Sequence, residues 1–121
     1  MYFNKKHFRE SYADRTQPMY QTWFMHEMVH VWQFQLGYPV KWRGALRVGL
    51  SYAYTLAPEK RLGDYNMEAQ GDIVADYFAL EYLKNPGVVR QENYATVHAL
   101  PQYRQVLQEF LKDPSNKISL P

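Results

Sequence analysis

The hydrophobic residues between Thr16 and Leu36 are so dense that they surround a helix axis instead of forming a stripe along it. Thr16 is a suitable N-cap, Pro18 fits the first turn, and Gly37 suits the C-terminal end. Because apolar side chains would point in every direction, the pattern predicts a helix that is buried on most sides. Its large apolar residues are Trp23, Phe24, Met25, Met28, Val29, Val31, Trp32, Phe34 and Leu36.

A second helix is predicted in the apolar and acidic stretch that follows residue 64. Asp64 or Asn66 can cap its first turn, and the pattern continues to about Lys84. Asn85 and Pro86, followed by a glycine, then stop the helix. The many apolar residues of this segment indicate that the helix packs closely against the rest of the domain.

Two shorter elements are predicted on either side of that helix. Residues 51–56, SYAYTL, alternate in the period-two manner of a strand, and residues 57–60, APEK, indicate a turn, so a small β-hairpin is expected. A third helix, which packs on the others, is predicted from about 101 to 111. Its apolar residues recur at helical spacing as Tyr103, Val106, Leu107 and Phe110.

The remaining segments complete one domain that spans residues 1–121. Residues 1–15 indicate an edge strand running into a loop, residues 44–50 a short helix or a loop, and residues 112–121 a loosely held tail. The predicted fold class is therefore α+β and mainly helical. It comprises the first long helix, a small β-hairpin, the second long helix and a C-terminal packing helix.

Composition excludes several kinds of protein. The 121 residues carry a formal net charge of only +2, without a run of like charge, so neither nucleic acid nor an anionic membrane is an expected partner. The absence of cysteine rules out disulfides and thiolate metal ligands. No stretch is apolar enough for a membrane span, and the first residues lack the layout of a Sec-type signal peptide. We expect a protein that is made in the cytoplasm and, if it is exported, leaves by another route.

The first helix contains His26 and His30 with Glu27 directly after the first histidine. Residues four apart share one face of a helix, so both imidazoles can bind one ion. Glu27 points about 100° away from His26, which suits a general base for a zinc-bound water better than a third ligand. This is the H-E-x-x-H arrangement of zinc metallopeptidases. Two buried histidines without a metal remain the alternative, although their desolvation makes that arrangement costly.

A catalytic zinc also needs a third protein ligand. Glu68, Asp72 and Asp76 are spaced four residues apart and share a stripe of the second helix. We assign Glu68 as the ligand and Asp72 as the acceptor for the distal N–H of a ligating histidine. Asp76 is expected to face water. Gly71, on the face of Glu68, either lets the two helices approach closely or is a tolerated local weakness.

The two remaining histidines are weaker candidates. His7 and His98 are expected to be structural or exposed rather than metal ligands. The fourth coordination position is therefore expected to remain open for water.

The combined pattern of residues 26–30 and Asn66 to Asp72 resembles the gluzincin metallopeptidases, the thermolysin-like clan. That resemblance implies a minimal zincin fold in which His26, His30 and Glu68 bind Zn²⁺, Glu27 is the base and Asp72 supports a histidine. The longer string across residues 2–83 resembles small metallopeptidase-like domains that accompany Rhs and spike proteins of bacterial type VI secretion systems. This chain has a longer interval before the glutamate than thermolysin and no counterpart of its flanking lobes.

The predicted activity is hydrolysis of a peptide or amide bond by a Glu27-activated, zinc-bound water. Tyr54 is the predicted oxyanion donor, with Tyr52 and His98 as further candidates. Two alternatives stay open: a non-catalytic, metal-stabilised adaptor, and a cell-wall amidase or peptidase toxin linked to type VI secretion. Expected partners are a peptide-like substrate and a spike or Rhs-type protein.

Overall fold

The computed structural model describes residues 17–40 and 51–121, and within them the protein is mainly helical. The predicted edge strand, the Thr16 cap, His7 and the segment 44–50 lie outside the described residues. Four α-helices are present in the described ranges: α1 (Gln17–Gln35), α2 (Met67–Glu81), α3 (Leu100–Val106) and α4 (Gln108–Lys112). Short 3₁₀ turns connect them at Leu62–Asp64, Pro86–Val88, Glu92–Tyr94, Val97–Ala99 and Lys117–Ser119. No helix in the described ranges is long and apolar enough to cross a membrane.

Helix α2 is the centre of the core. Of the two predicted caps, Asn66 is the one used: its side chain accepts hydrogen bonds from the backbone N–H groups of Glu68 at 3.0 Å and Ala69 at 2.8 Å. The helix is buried along nearly all of its length, and Ile73 and Ala79 are completely inaccessible to solvent. A helix buried on nearly all sides needs a partner for every polar side chain that it carries.

The predicted β-hairpin is wrong for the described residues, since residues 51–61 form no strand. The alternation of the sequence is real, because Tyr54 and Leu56 are buried and Thr55 between them is exposed. The backbone, however, bonds to side chains instead of a neighbouring strand: the Leu56 N–H donates to the Tyr94 hydroxyl at 2.9 Å, and the Thr55 carbonyl accepts from Tyr65 at 2.6 Å. An extended segment packed on helices therefore has the period-two pattern of a strand without forming a sheet.

The predicted burial of α1 on most sides is also wrong. Its buried residues are Thr22, His26, Val29, His30 and Gln33, which form one stripe at helical spacing and are mostly polar. Large apolar residues cover the exposed faces, namely Met19, Tyr20, Trp23, Phe24, Met28 and Phe34. The helix thus presents its polar face to α2, and the density of hydrophobic residues could not reveal this orientation.

The C-terminal region differs from expectation in two ways. The third predicted helix is divided at Leu107 into α3 and α4. The predicted loose tail instead packs against the domain: the Trp32 indole donates to the Pro114 carbonyl at 2.6 Å, and Ser119 is buried. Gly63 permits this packing, because a Cβ there would lie 2.5 Å from the Ile118 carbonyl oxygen. The polar sequence of the tail predicted a loosely held segment. Its main-chain carbonyls instead accept hydrogen bonds from Trp32 and Gln70 and hold it against the domain.

Candidate metal site

Helices α1 and α2 approach closely where Gly71 faces His26. A Cβ atom at Gly71 would lie 2.6 Å from both Cε1 and Nδ1 of the His26 ring. Only a residue without a side chain fits there. Of the two explanations that the sequence left open for Gly71, the structure therefore supports a close approach of the two helices. The same approach brings the acidic side chains of α2 against the buried histidines of α1.

Three side-chain atoms converge at this contact. The Nε2 atoms of His26 and His30 lie 3.2 Å apart, and each lies 3.0 Å from Oε1 of Glu68. All three residues are buried, and His30 and Glu68 are completely inaccessible. They form a group of possible metal ligands whose donor atoms all lie within 4.8 Å of one another. These are the three residues that the sequence assigned to the metal.

The outer nitrogen of His26 is held by Asp72. Nδ1 lies 2.8 Å from Oδ1 of the carboxylate, the position that the sequence predicted for this aspartate. Burial lowers the pKa of His26, but the hydrogen bonds and charges of Asp72 and Glu68 outweigh it, so the pKa is raised above 6.5. Arg90, whose Nε lies 3.6 Å from the same carboxylate oxygen, adds a partly exposed positive charge behind Asp72.

The outer nitrogen of His30 is held by a neutral side chain. Its Nδ1 lies 2.8 Å from Oε1 of Gln33, one helical turn further along α1. The other end of that amide, Nε2, donates to the Met67 carbonyl at 3.2 Å. Since a carbonyl can only accept, the Gln33 oxygen must face His30, and Nδ1 of His30 must carry the proton.

The hydrogen bonds of both rings leave an excess of acceptors at the centre of the site. His30 carries its proton on Nδ1, so its Nε2 presents a lone pair when the ring is neutral. His26 faces a carboxylate oxygen from both nitrogens, so a neutral His26 that donates to Asp72 from Nδ1 also presents a lone pair at Nε2. These lone pairs meet an oxygen of Glu68 at 3.0 Å. With both rings neutral and donating from Nδ1, three acceptors meet at these distances, an arrangement that a shared proton or a metal ion would stabilise.

The donor set fits zinc. Zinc is bound by histidine nitrogen and carboxylate oxygen at about 2.0–2.2 Å, and tetrahedral geometry then separates the ligand atoms by about 3.3–3.5 Å. The three distances between the candidate ligand atoms are 3.0, 3.0 and 3.2 Å, slightly shorter than the separations expected around a bound zinc ion. Two imidazoles and one carboxylate also match the His₂Glu set of hydrolytic zinc sites, which leave a fourth position open. His26, His30 and Glu68 are therefore the residues that would hold the ion.

Glu27 differs from the ligands in its surroundings. It follows His26 on α1 and is only partly buried. Within the described ranges, no hydrogen bond or ion pair engages its carboxylate. A partly exposed carboxylate beside a histidine ligand can accept a proton from water at the rim of the site.

Of the predicted oxyanion donors, Tyr52 lies at the site and Tyr54 does not. The ring of Tyr52 is 5.8 Å from that of His26, centroid to centroid, and about half of its surface is exposed. Tyr54 is buried, and its hydroxyl donates to Asp76 at 2.6 Å and contacts the Tyr103 hydroxyl. The third candidate, His98, is exposed on the turn Val97–Ala99.

Asp76 does not face water as predicted. It is completely buried, and besides Tyr54 it accepts from the backbone N–H groups of Arg90 at 2.8 Å and Gln91 at 3.3 Å. Burial raises its pKa to about 6 despite these hydrogen bonds, which lower it. We call Asp76, Tyr54 and Tyr103 the tyrosine–aspartate cluster; it fastens residues 90 and 91 to α2.

Sequence reasoning missed the two buried glutamines beside the site. Gln33 contacts His30, and Gln70 lies between Gln33 and the core. Glutamine is common on helix surfaces, so neither residue stands out by type. The usable signal was spacing: Gln33 lies three residues after a predicted ligand, and Gln70 lies between Glu68 and Asp72.

Part of the chain is similar to a known bacterial protein. The type VI secretion system spike protein VgrG2b of Pseudomonas aeruginosa is 54% identical over 61 aligned residues. The alignment covers 46% of this chain and 6% of that protein, so the chain corresponds to a small part of its relative. No protein-family model matches the chain, and no solved structure matches it. This chain is thus similar, over about half of its length, to part of a type VI secretion spike protein.

Proposed function

We propose that this protein is a zinc-dependent metallopeptidase domain that hydrolyses peptide or amide bonds and acts in type VI secretion. The observation that carries the proposal is the convergence of Nε2 of His26, Nε2 of His30 and Oε1 of Glu68, three possible metal ligands that lie 3.0–3.2 Å from one another in a buried site. Glu27 adds a carboxylate beside that site. A purely structural site would not need it.

Each residue would have a definite task. A bound zinc ion would polarise the substrate carbonyl and make water more acidic. Glu27 would take a proton from the attacking water while the water oxygen bonds to the carbonyl carbon. It would then pass this proton to the departing amine as the C–N bond breaks. Asp72 keeps His26 oriented through the bond of 2.8 Å to Nδ1. Tyr52, beside the His26 ring, is the phenol best placed to donate to the developing oxyanion.

The link to secretion rests on the similarity to VgrG2b. We propose that the domain travels with a spike or Rhs-type protein and leaves the cytoplasm by that route. A secreted hydrolase of this kind would meet peptides outside the producing cell. The peptides of bacterial cell walls are therefore the substrate class to test beside ordinary proteins.

The deciding experiment compares Glu27→Gln with a matched variant, Glu59→Gln, in the exposed turn after residue 57. Elemental analysis of protein purified without added metal should give about one zinc per chain for both variants and the wild type. Release of peptides from casein, and of muropeptides from purified peptidoglycan, should fall by at least about 10³-fold in Glu27→Gln and remain unchanged in Glu59→Gln.

Each outcome has a clear consequence. Turnover retained by Glu27→Gln excludes this residue as the base. Full zinc content without hydrolysis of either substrate by the wild type favours the metal-stabilised adaptor. Release from peptidoglycan alone identifies a cell-wall enzyme, and release from casein a general peptidase.

A further inference from the structure

The two histidines of the site are oriented by chemically different partners. Nδ1 of His26 faces the carboxylate of Asp72, whereas Nδ1 of His30 faces the amide oxygen of Gln33. Gln33 has no solvent-accessible surface. A completely buried amide has four hydrogen-bonding positions to satisfy, so its partners decide which way it points.

Those partners leave Gln33 only one orientation. Its Nε2 donates to the Met67 carbonyl at 3.2 Å and to Oε1 of Gln70 at 2.8 Å. Both acceptors are oxygens, so the Gln33 nitrogen must face them. A flipped amide would bring its oxygen against both oxygens and its nitrogen against His30, losing every one of these bonds.

Gln70 is fixed in the same way from its other side. Its Nε2 donates to the Leu62 carbonyl at 2.8 Å and to the Ser119 carbonyl at 2.9 Å. Two main-chain carbonyls can only accept, so the Gln70 oxygen must face Gln33. The direction of every hydrogen bond in the series is therefore set by the main-chain carbonyls of Leu62, Met67 and Ser119.

We propose that Gln33 is a positioning residue that fixes the tautomer and ring orientation of His30, and that Gln70 and the docked C-terminal tail hold Gln33 in place. The protonated Nδ1 of His30 leaves the lone pair of Nε2 directed at Glu68 and His26, where the metal would bind. This inference rests on the metal site of the proposed function but does not depend on catalysis. The series runs from the Ser119 and Leu62 carbonyls through Gln70 and Gln33 to His30.

Two substitutions of Gln33 separate positioning from packing. Gln33→Met and Gln33→Glu both remove the amide N–H₂ group, which donates to the Met67 carbonyl and to Oε1 of Gln70. They differ because glutamate keeps an oxygen for the Nδ1–H of His30, and methionine does not. Glutamate also buries a charge beside the oxygen of Gln70, so the metal-free Gln33→Glu protein should be the less stable of the two.

The measurement is zinc affinity, by competition with a chromophoric chelator at pH 7.5. Loss of a partner to a ligating histidine typically weakens metal binding about 10–100-fold, and we expect that loss in Gln33→Met. Gln33→Glu should bind zinc more tightly than Gln33→Met in spite of its lower metal-free melting temperature. Gln105→Met, on the exposed face of α3, is the matched control and should bind zinc like the wild type.

The order of the zinc affinities of Gln33→Met and Gln33→Glu decides whether Gln33 positions His30. If zinc affinity simply follows metal-free stability, so that Gln33→Glu is the weaker binder, Gln33 serves packing alone and the inference is overturned. Equal affinity of Gln33→Met and wild type overturns it as well. A wild type that binds no zinc would instead refute the metal site and the proposed function together.

A measurement on the wild type guards against variants that fail to fold. In ¹⁵N spectra of the histidine side chains of the zinc-loaded protein, Nδ1 of His30 should be protonated, with slow exchange of that proton, and Nε2 should bind the metal. Zinc at Nδ1 of His30 would overturn the proposal whatever the variants do.

Discussion

Helix α2 carries two buried polar clusters, and they differ in whether their hydrogen bonds balance. In the tyrosine–aspartate cluster, the carboxylate of Asp76 receives one hydroxyl and two backbone N–H groups. In the candidate metal site, Glu68 and two imidazole nitrogens meet as acceptors. Among the described contacts, the first cluster pairs its acceptors with donors, whereas the second brings three acceptors together when its imidazoles are neutral, an arrangement that a cation would stabilise. Buried polar groups therefore indicate a binding site when donors and acceptors fail to match, and burial alone does not.

The largest expected effect is the loss of metal from one cluster and not from the other. Glu68→Gln replaces a charged ligand by an amide, and zinc content after dialysis should fall from about one per chain to near zero. Asp76→Asn removes a charge from the same helix and should keep its zinc, because Asp76 binds only protein donors. Elemental analysis of both proteins measures this, and equal zinc loss in both would refute the contrast.

The second effect concerns stability. A bound zinc ion contributes several kcal/mol to folding, and in a domain of this size 1 kcal/mol shifts the melting temperature by about 3–6 °C. Addition of a chelator should therefore lower the melting temperature of the wild type by roughly 10 °C or more. The amide of Glu68→Gln can donate to the Nε2 atoms of His26 and His30, so this variant should melt no lower than the chelated wild type and should not respond to the chelator.

A chelator response retained in Glu68→Gln would mean that the ion binds elsewhere. A wild type that melts at the same temperature with and without the chelator would mean that these acceptors share a proton and not a metal. The raised pKa of His26 is consistent with such a proton in the metal-free state. The melting temperatures of the wild type with and without chelator, compared with that of Glu68→Gln, therefore distinguish a shared proton from a bound metal ion.

The sequence predicted the candidate metal site better than the tyrosine–aspartate cluster, and the reason is local geometry. His26, Glu27 and His30 lie on one helix, and the relation of Glu68 to Asp72 is also set by helical spacing, so their placement depends on few long-range contacts. The sequence leaves Gly71 open between a close helix approach and a tolerated weakness, and the structure shows the close approach, since a Cβ there would lie 2.6 Å from the His26 ring.

The parts that the sequence did not predict depend on contacts between distant segments. Tyr54 bonds to Asp76 and contacts Tyr103, and nothing local distinguishes this tyrosine from Tyr52, which lies at the site. The tail binds through main-chain carbonyls, which any residue supplies. The polar face of α1 was hidden because apolar residues also cover its exposed side. Only tertiary packing determines these features.

The smallest effect that we predict is the pH dependence of the tyrosine–aspartate cluster. Burial raises the pKa of Asp76 from 3.8 to about 6 in the folded protein. The folded state therefore binds more protons than the unfolded state between these values, so the contribution of Asp76 to stability is greatest at acid pH and is lost as pH rises through about 6. Asp76→Asn cannot titrate, although it loses an acceptor for the Gln91 N–H and should be less stable at every pH.

The difference between the two proteins isolates this one group. Urea unfolding of both, with chelator present, gives the stability advantage of the wild type over Asp76→Asn; titration of His26 is common to both and cancels. With the folded pKa near 6, that advantage should shrink by roughly 1 kcal/mol between pH 5 and pH 7.5. An advantage that stays constant or grows would show that three hydrogen bonds keep Asp76 ionised in spite of its burial. The three donors would then stabilise Asp76 as a carboxylate ion without any added cation, and the contrast with the candidate metal site would be sharper still.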